Sequence, residues 1–167
     1  YTGQALLVAL MVAPRLRRVL RTEHLPLQLL RSGFFFGATI SGFFAYSMLP
    51  LATVTAVFQV APLIITAMAA LLLRETVGPR RWAGVAAGFL GALIIIRPGS
   101  SVFEPASLLP MLAALFFAGY TITTRMLGRD DGFWTTFLYS AGLGAILSTL
   151  YVPFVWTTPS WADAWTM

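Results

Sequence analysis

An all-α, polytopic membrane bundle is the fold class this sequence predicts, and three observations carry the prediction. The 167 residues are 58% hydrophobic and only 10% charged, with a mean hydropathy of +0.81; that is too apolar for a water-soluble domain of this length. Five segments approach the length, about 20 mainly apolar residues, that a helix needs to cross a hydrocarbon core about 30 Å thick. Ten of the eleven arginines fall on one side when the intervening connections are assigned alternately to two faces. Short basic loops stay in the cytoplasm, so that side is the inner one and the protein is multi-pass in a cell membrane, of the bacterial inner-membrane type.

The five segments are residues 33 to 50, 52 to 73, 82 to 97, 106 to 126 and 134 to 156. Residues 1 to 14 look like the end of a sixth whose beginning is missing, and a chain that starts at Tyr1 within an apolar run reads as a piece of something longer. Arg15, Arg17, Arg18, Arg21 and Arg31 precede the first full span; Arg74, Arg80 and Arg81 lie in a later inner loop, and Arg125 and Arg129 in another. Only Arg97 is opposite. The third segment is short, but Trp82 and the long stems of Arg80, Arg81 and Arg97 extend its reach to both headgroup layers. Tryptophans 82, 134, 156, 161 and 165 fall at segment ends or in the tail, as an aromatic belt does. Turn-rich connections, among them Leu49-Pro50 and the stretch from Pro98 to Pro105, make sequential helices antiparallel neighbours; the latter stretch is read as an internal repeat boundary.

In lipid, small residues that let backbones approach are the main packing code. Gly33, Gly37, Ser41 and Ala45 recur every four residues in the first full span, and Gly84, Gly88 and Gly91 repeat the device in the third. They predict tight contacts between helices of one chain, or a homodimer face. A polar stripe on a membrane helix lines a cavity or bonds another helix. Thr55, Gln59, Pro62 and Thr66 share one face of the second span, and Pro62 frees a backbone carbonyl near its centre and kinks it. Gln59, with both donors and an acceptor near mid-bilayer, is the sharpest candidate for lining a solute pathway, against structural hydrogen bonding as the alternative. Tyr46, Tyr120 (with Thr123 and Thr124) and Tyr139 (with Ser140) offer further hydroxyls, or anchor the interface. Glu75, close to Arg80 and Arg81, is expected to form a cytoplasmic-loop ion pair that fixes the turn.

Other functions are excluded by what the chain lacks. There is no cysteine and a single histidine, His24, so no metal site is expected and no cofactor is implied. None of the six acidic residues lies within a predicted span, which leaves no intramembrane carboxylate for proton or sodium coupling and no catalytic residue to name. The net charge of +5 sits in juxtamembrane loops rather than on a continuous face, so no nucleic-acid partner is expected.

The run from Pro50 to Pro98 resembles the EamA branch of the drug/metabolite transporter superfamily. A helix with a central Pro62-Leu63 is followed by LLLRETVGPRRWAGVAAGFLGALIIIRPG; the upstream RLRRVLR and the later GYTITTRML also fit. The resemblance implies ten transmembrane helices in two five-helix repeats of opposite orientation enclosing a central site. On that plan residues 1–98 are the end of helix 2 and helices 3 to 5 of the first repeat, and residues 99–167 are helices 6 and 7 of the second. It also implies a secondary carrier that moves small organic metabolites or drugs by alternating access, with the lipid bilayer and a small solute as partners, and not an enzyme. The alternative is a membrane-embedded assembly or regulatory protein that transports nothing.

Overall fold

The computed structural model describes residues 2–13, 19, 22, 24–96, 105–128 and 132–155, and among these every regular element is helical. The order is α1 (Thr2–Val12), α2 (Leu25–Met48), α3 (Leu51–Phe58), α4 (Ala61–Leu72), α5 (Pro79–Ile96), α6 (Leu108–Leu127, entered through a 3₁₀ turn at Pro105–Ser107) and α7 (Phe133–Val155). The sequence expectations for Arg15, Arg17, Arg18, Arg21, Arg97, Arg129, Trp156, Trp161, Trp165 and the boundary at Pro98 fall outside the described residues.

The apolar surface faces outward. Phe43, Leu71 and Ile94 are each at least 70% exposed, whereas Ala45, Ala114, Ala118 and Ala141 are fully buried. Small residues thus form the interior and large ones face the surroundings, which is the arrangement helix association in lipid requires. Leu51–Leu72, Pro105–Leu127 and Phe133–Tyr151 are long and apolar enough to cross a membrane. α2, which contains the predicted segment at 33 to 50, stays below that measure because its first turns carry Gln28, Arg31 and Ser32.

α2 corrects the sequence reading in its extent. It starts at Leu25, eight residues before the predicted segment, with Pro26 in its first turn, where the missing N–H has no helical partner to lose. Its 24 residues span about 36 Å. Arg31, expected in a loop, therefore lies inside the helix and is 5% exposed.

The segment from 52 to 73 is two helices, interrupted at Gln59 and Val60. The cause is the one expected from Pro62, which has no N–H for the Phe58 carbonyl four residues back. Val60 N–H turns to the Val57 carbonyl at 3.1 Å and Leu63 N–H to the Val60 carbonyl at 3.0 Å, both tighter than the α-helical spacing. At the far end Arg74 takes a left-handed conformation (φ 52°), and Glu75 N–H reaches back to the Ala69 carbonyl at 3.4 Å, closing α4.

Chain order does not dictate who packs with whom. α4 meets α5, as expected of sequential helices, but α6 and α7 each pack on α2 rather than on each other, and α1 packs on α7. The α2–α6 contact is reciprocal. Phe116 of α6 sits over Gly37 of α2, Phe34 of α2 sits over Gly119 of α6, and the two rings lie 6.3 Å apart. Leu63 of α4 occupies the space beside Gly88 of α5. Gly37 and Gly88 thus each lie under a side chain of a neighbouring helix, whereas among the described residues nothing lies within 4 Å of a methyl built on Gly33, Gly84 or Gly91.

Candidate functional site

Two features meet where α2, α3 and α6 converge. The first is a cavity of about 390 Å³ with Phe35, Phe43 and Tyr46 from α2, Phe58 from α3 and Phe117 from α6 among its walls. Its size lies within the range of about 300 to 1,000 Å³ typical of small-molecule sites. Polar atoms are scarce: Tyr46 contributes a hydroxyl, and Thr39 Oγ1 donates to the Phe35 carbonyl of its own helix at 2.9 Å. Such a lining takes an apolar or aromatic group, with orientation left to a few polar contacts.

The aromatic walls continue into one another. Phe58 lies 5.6 Å from Phe117, Phe117 lies 6.0 Å from Tyr120, and Tyr120 lies 5.1 Å from Phe35, all tilted. This row runs from the last residue of the interrupted helix α3 to the second feature, a buried polar cluster around Arg31.

Arg31 donates from Nε to Thr124 Oγ1 (2.8 Å), from Nη1 to Ser140 Oγ (2.7 Å) and the Thr136 carbonyl (3.2 Å), and from Nη2 to the Tyr120 hydroxyl (3.0 Å). Its guanidinium carbon also lies 4.6 Å from the centre of the Tyr120 ring, within cation–π range. Gln28 and Ser32, to either side on the same face of α2, are 0% and 1% exposed. Gln28 Nε2 donates to Thr136 Oγ1 at 3.3 Å, and the Ser32 and Ser140 hydroxyls lie 3.4 Å apart. One side chain of α2 thereby ties α6 to α7.

The predicted pathway residues are distributed unevenly over this geometry. Tyr46 lines the cavity, and Tyr120 stands behind its Phe35 and Phe117 walls. Val54 and Phe58 represent α3 in the lining, not Thr55 or Gln59. Thr55 Oγ1 donates to the Leu51 carbonyl (2.9 Å) and Thr66 Oγ1 to the Pro62 carbonyl (2.9 Å), so both hydroxyls are used within their own helix. Gln59 and Pro62 are exposed at the helix interruption, and Tyr139 is half-buried on α7. Glu75 pairs with Arg125 at 3.5 Å, each about half exposed, and not with Arg80 or Arg81. The reason is the left-handed Arg74, which turns the chain after α4 so that Glu75 meets the last turn of α6. Among the described residues no group of acidic or histidine side chains could hold a metal ion.

A model of the EamA-like transporter family matches residues 2–97. The chain belongs to that family. Among curated relatives, a riboflavin transporter of Brucella anthropi is 37% identical over 114 residues, covering 68% of this chain and 40% of the relative. A riboflavin transporter of Vibrio cholerae is 36% identical over 110 residues, covering 66% and 37%. An S-adenosylmethionine uptake transporter of Rickettsia prowazekii is 27% identical over 144 residues, covering 86% and 49%. The chain thus spans less than half the length of these relatives. The family and its named relatives are transporters, not enzymes, and this EamA chain is a membrane protein. No solved structure matches it.

Proposed function

We propose that the complete protein is a secondary carrier that moves a small organic solute bearing a flat heteroaromatic ring across a bacterial inner membrane by alternating access. The observation that carries this reading is the aromatic cavity beside an interrupted helix. Carriers of this kind bind solute near mid-bilayer, where unwound backbone leaves polar groups free; here Pro62 releases the Phe58 carbonyl next to a wall of phenylalanines. Riboflavin and S-adenosylmethionine, for which the relatives are named, both contain such a ring system.

In this reading residues 1–98 complete the first of two inverted five-helix repeats and residues 99–167 open the second. The family match ending at residue 97 supports the division, and the cavity, walled by α2 and α3 from one side of it and α6 from the other, lies between the repeats. Gln59 at the interruption and Tyr46 in the wall are the polar groups assigned to the solute; Gly84 and Gly91 are open to receive further helices, of the same protein or of a second copy.

The test is uptake by the full-length protein in proteoliposomes, with riboflavin, S-adenosylmethionine and a non-aromatic sugar of similar size. Saturable flux of an aromatic solute is expected, and Phe58→Ala and Phe117→Ala should each raise its half-saturating concentration about three- to tenfold, the worth of one stacking contact. Equal flux of the sugar overturns the solute class. Absence of flux for every solute returns the protein to the assembly or regulatory reading.

A further inference from the structure

We propose that Arg31 is a latch that closes the cavity at the cytoplasmic end and opens when solute passes to that side. The inference rests on the carrier reading and adds the device that would decide which side has access. Its basis is the position and chemistry of the cluster.

The position is set by three helix ends. Arg31 lies in the first turns of α2, its partners Tyr120 and Thr124 in the last turns of α6, and Thr136 and Ser140 in the first turns of α7. The Glu75–Arg125 pair, joining the ends of α4 and α6, marks the same face of the bundle. That is also the face of the basic connections at Arg74, Arg80 and Arg81, and hence the inner one. The cavity extends the opposite way, through Phe43 and Tyr46 towards the far end of α2. Between cavity and inner face stand Tyr120 with its tilted aromatic neighbours, then Arg31 beside buried Ser32, then fully buried Gln28.

The chemistry suits a contact that breaks and re-forms. Among the described residues Arg31 has no carboxylate as a hydrogen-bond partner: it is held by three hydroxyls, a backbone carbonyl and an aromatic face. A buried ion pair would leave two uncompensated charges on opening, whereas a guanidinium leaving neutral acceptors is rehydrated directly. The acceptors are also provided for. Thr124 Oγ1 donates to the Tyr120 carbonyl (2.6 Å) and Ser140 Oγ to the Thr136 carbonyl (3.1 Å), so both hydroxyls keep a partner when Arg31 departs. Because α6 and α7 both pack on α2 and both supply acceptors to Arg31, withdrawal of this one side chain frees three helix ends together. It also frees Tyr120, whose ring supports the Phe35 and Phe117 walls, so solute in the cavity and Arg31 in its cluster are mechanically linked.

The 167 residues contain no cysteine, which suits a thiol-accessibility test in the full-length protein made cysteine-free throughout. Ala113→Cys, in the cavity wall, is labelled with a membrane-impermeant maleimide from outside in whole cells and from inside in inverted vesicles. With Arg31 present the outside rate should exceed the inside rate by about tenfold, corresponding to an open-latch population near one tenth. Arg31→Gln should reverse the preference, and Tyr120→Phe, which removes one acceptor and keeps the ring, should move it part of the way. Arg31→Lys, with charge but no planar fork, should fall between native and Arg31→Gln. Should Arg31→Gln fail to fold, Arg31→Lys and Tyr120→Phe decide. Unchanged labelling from both sides in the folded variants overturns the latch, and if flux persists the carrier reading stands without it. A shifted labelling preference in a protein that transports nothing keeps the latch and overturns the carrier.

Discussion

Replacing Gly37 by alanine should destabilise the bundle, while the same replacement at Gly33, one turn earlier on the same helix, should not. A methyl group built on Gly37 falls 3.0 to 3.1 Å from three ring atoms of Phe116, where relaxed carbon contacts sit at about 3.5 to 4.0 Å. Phe116 must retreat by about half an ångström, yet its ring lies against Phe34, whose own ring atoms would be 3.0 Å from a methyl built on Gly119. Overpacking of this kind costs about 1 to 3 kcal/mol. At Gly33 a methyl meets nothing within 4 Å, leaving only the gain of about 1 kcal/mol that alanine brings to a helix interior. Since that gain is common to both sites, the difference between the two variants isolates packing and should be about 1 to 3 kcal/mol in favour of Gly33→Ala. Reversible unfolding of the purified protein by titrating denaturing detergent into mixed micelles measures it. Gly37→Ala and Gly119→Ala should also be non-additive by at least about 0.5 kcal/mol, because both methyls push on one pair of touching rings. A Gly37→Ala protein as stable as Gly33→Ala refutes the reciprocal packing of α2 on α6.

On the proposed carrier reading, Gln59→Leu in the full-length protein should lower initial flux several-fold while the amount inserted in the membrane stays unchanged, since a structural hydrogen bond in a membrane protein is worth only about 0.6 kcal/mol; flux normalised to membrane content checks this, and unaltered kinetics remove Gln59 from the pathway. Glu75→Gln and Arg125→Gln should each shift unfolding by less than about 1 kcal/mol, and the shift should vanish at high salt, because both partners of the pair are about half exposed. A large, salt-independent loss would mean that the pair is buried in the complete protein.

Much of this architecture is written in short-range pattern. Runs of apolar residues give the helices, and Pro62 gives the interruption of the second span, because a missing N–H acts on its own neighbourhood whatever surrounds it. Spacing places Gly37, Gly88, Gly33, Gly84 and Gly91 on helix faces; it does not tell which of those faces a neighbour covers among the described residues, as Phe116 does at Gly37 and Leu63 at Gly88. Tyr46 joins the cavity, but the phenylalanines that form most of its wall carry no signal in a chain with 13 of them. Proximity in sequence pairs Glu75 with Arg80 and Arg81; its partner Arg125 stands 50 residues away, brought near by the packing of α4 on α6.

Arg31 shows where one-dimensional reading of a membrane sequence reaches its limit. A charge near the start of an apolar run counts as a loop residue in any hydropathy argument, because an isolated guanidinium in hydrocarbon is costly. The cost falls once acceptors surround it, and those acceptors come from residues 89 to 109 positions away. A local signal is nevertheless present: Gln28, Arg31 and Ser32 share one helical face, and Tyr120 with Thr124 and Thr136 with Ser140 are each one turn apart on theirs. Each of these polar faces satisfies the others when they meet, which is what the energetics of burial favour. Removing Arg31 from the loop count leaves nine of eleven arginines on the inner side, and the orientation argument survives. The arginine that weakens the count slightly is the one that closes the inner end of the cavity, and its burial explains why a helix too polar by composition to be scored as a span still packs at the centre of the bundle.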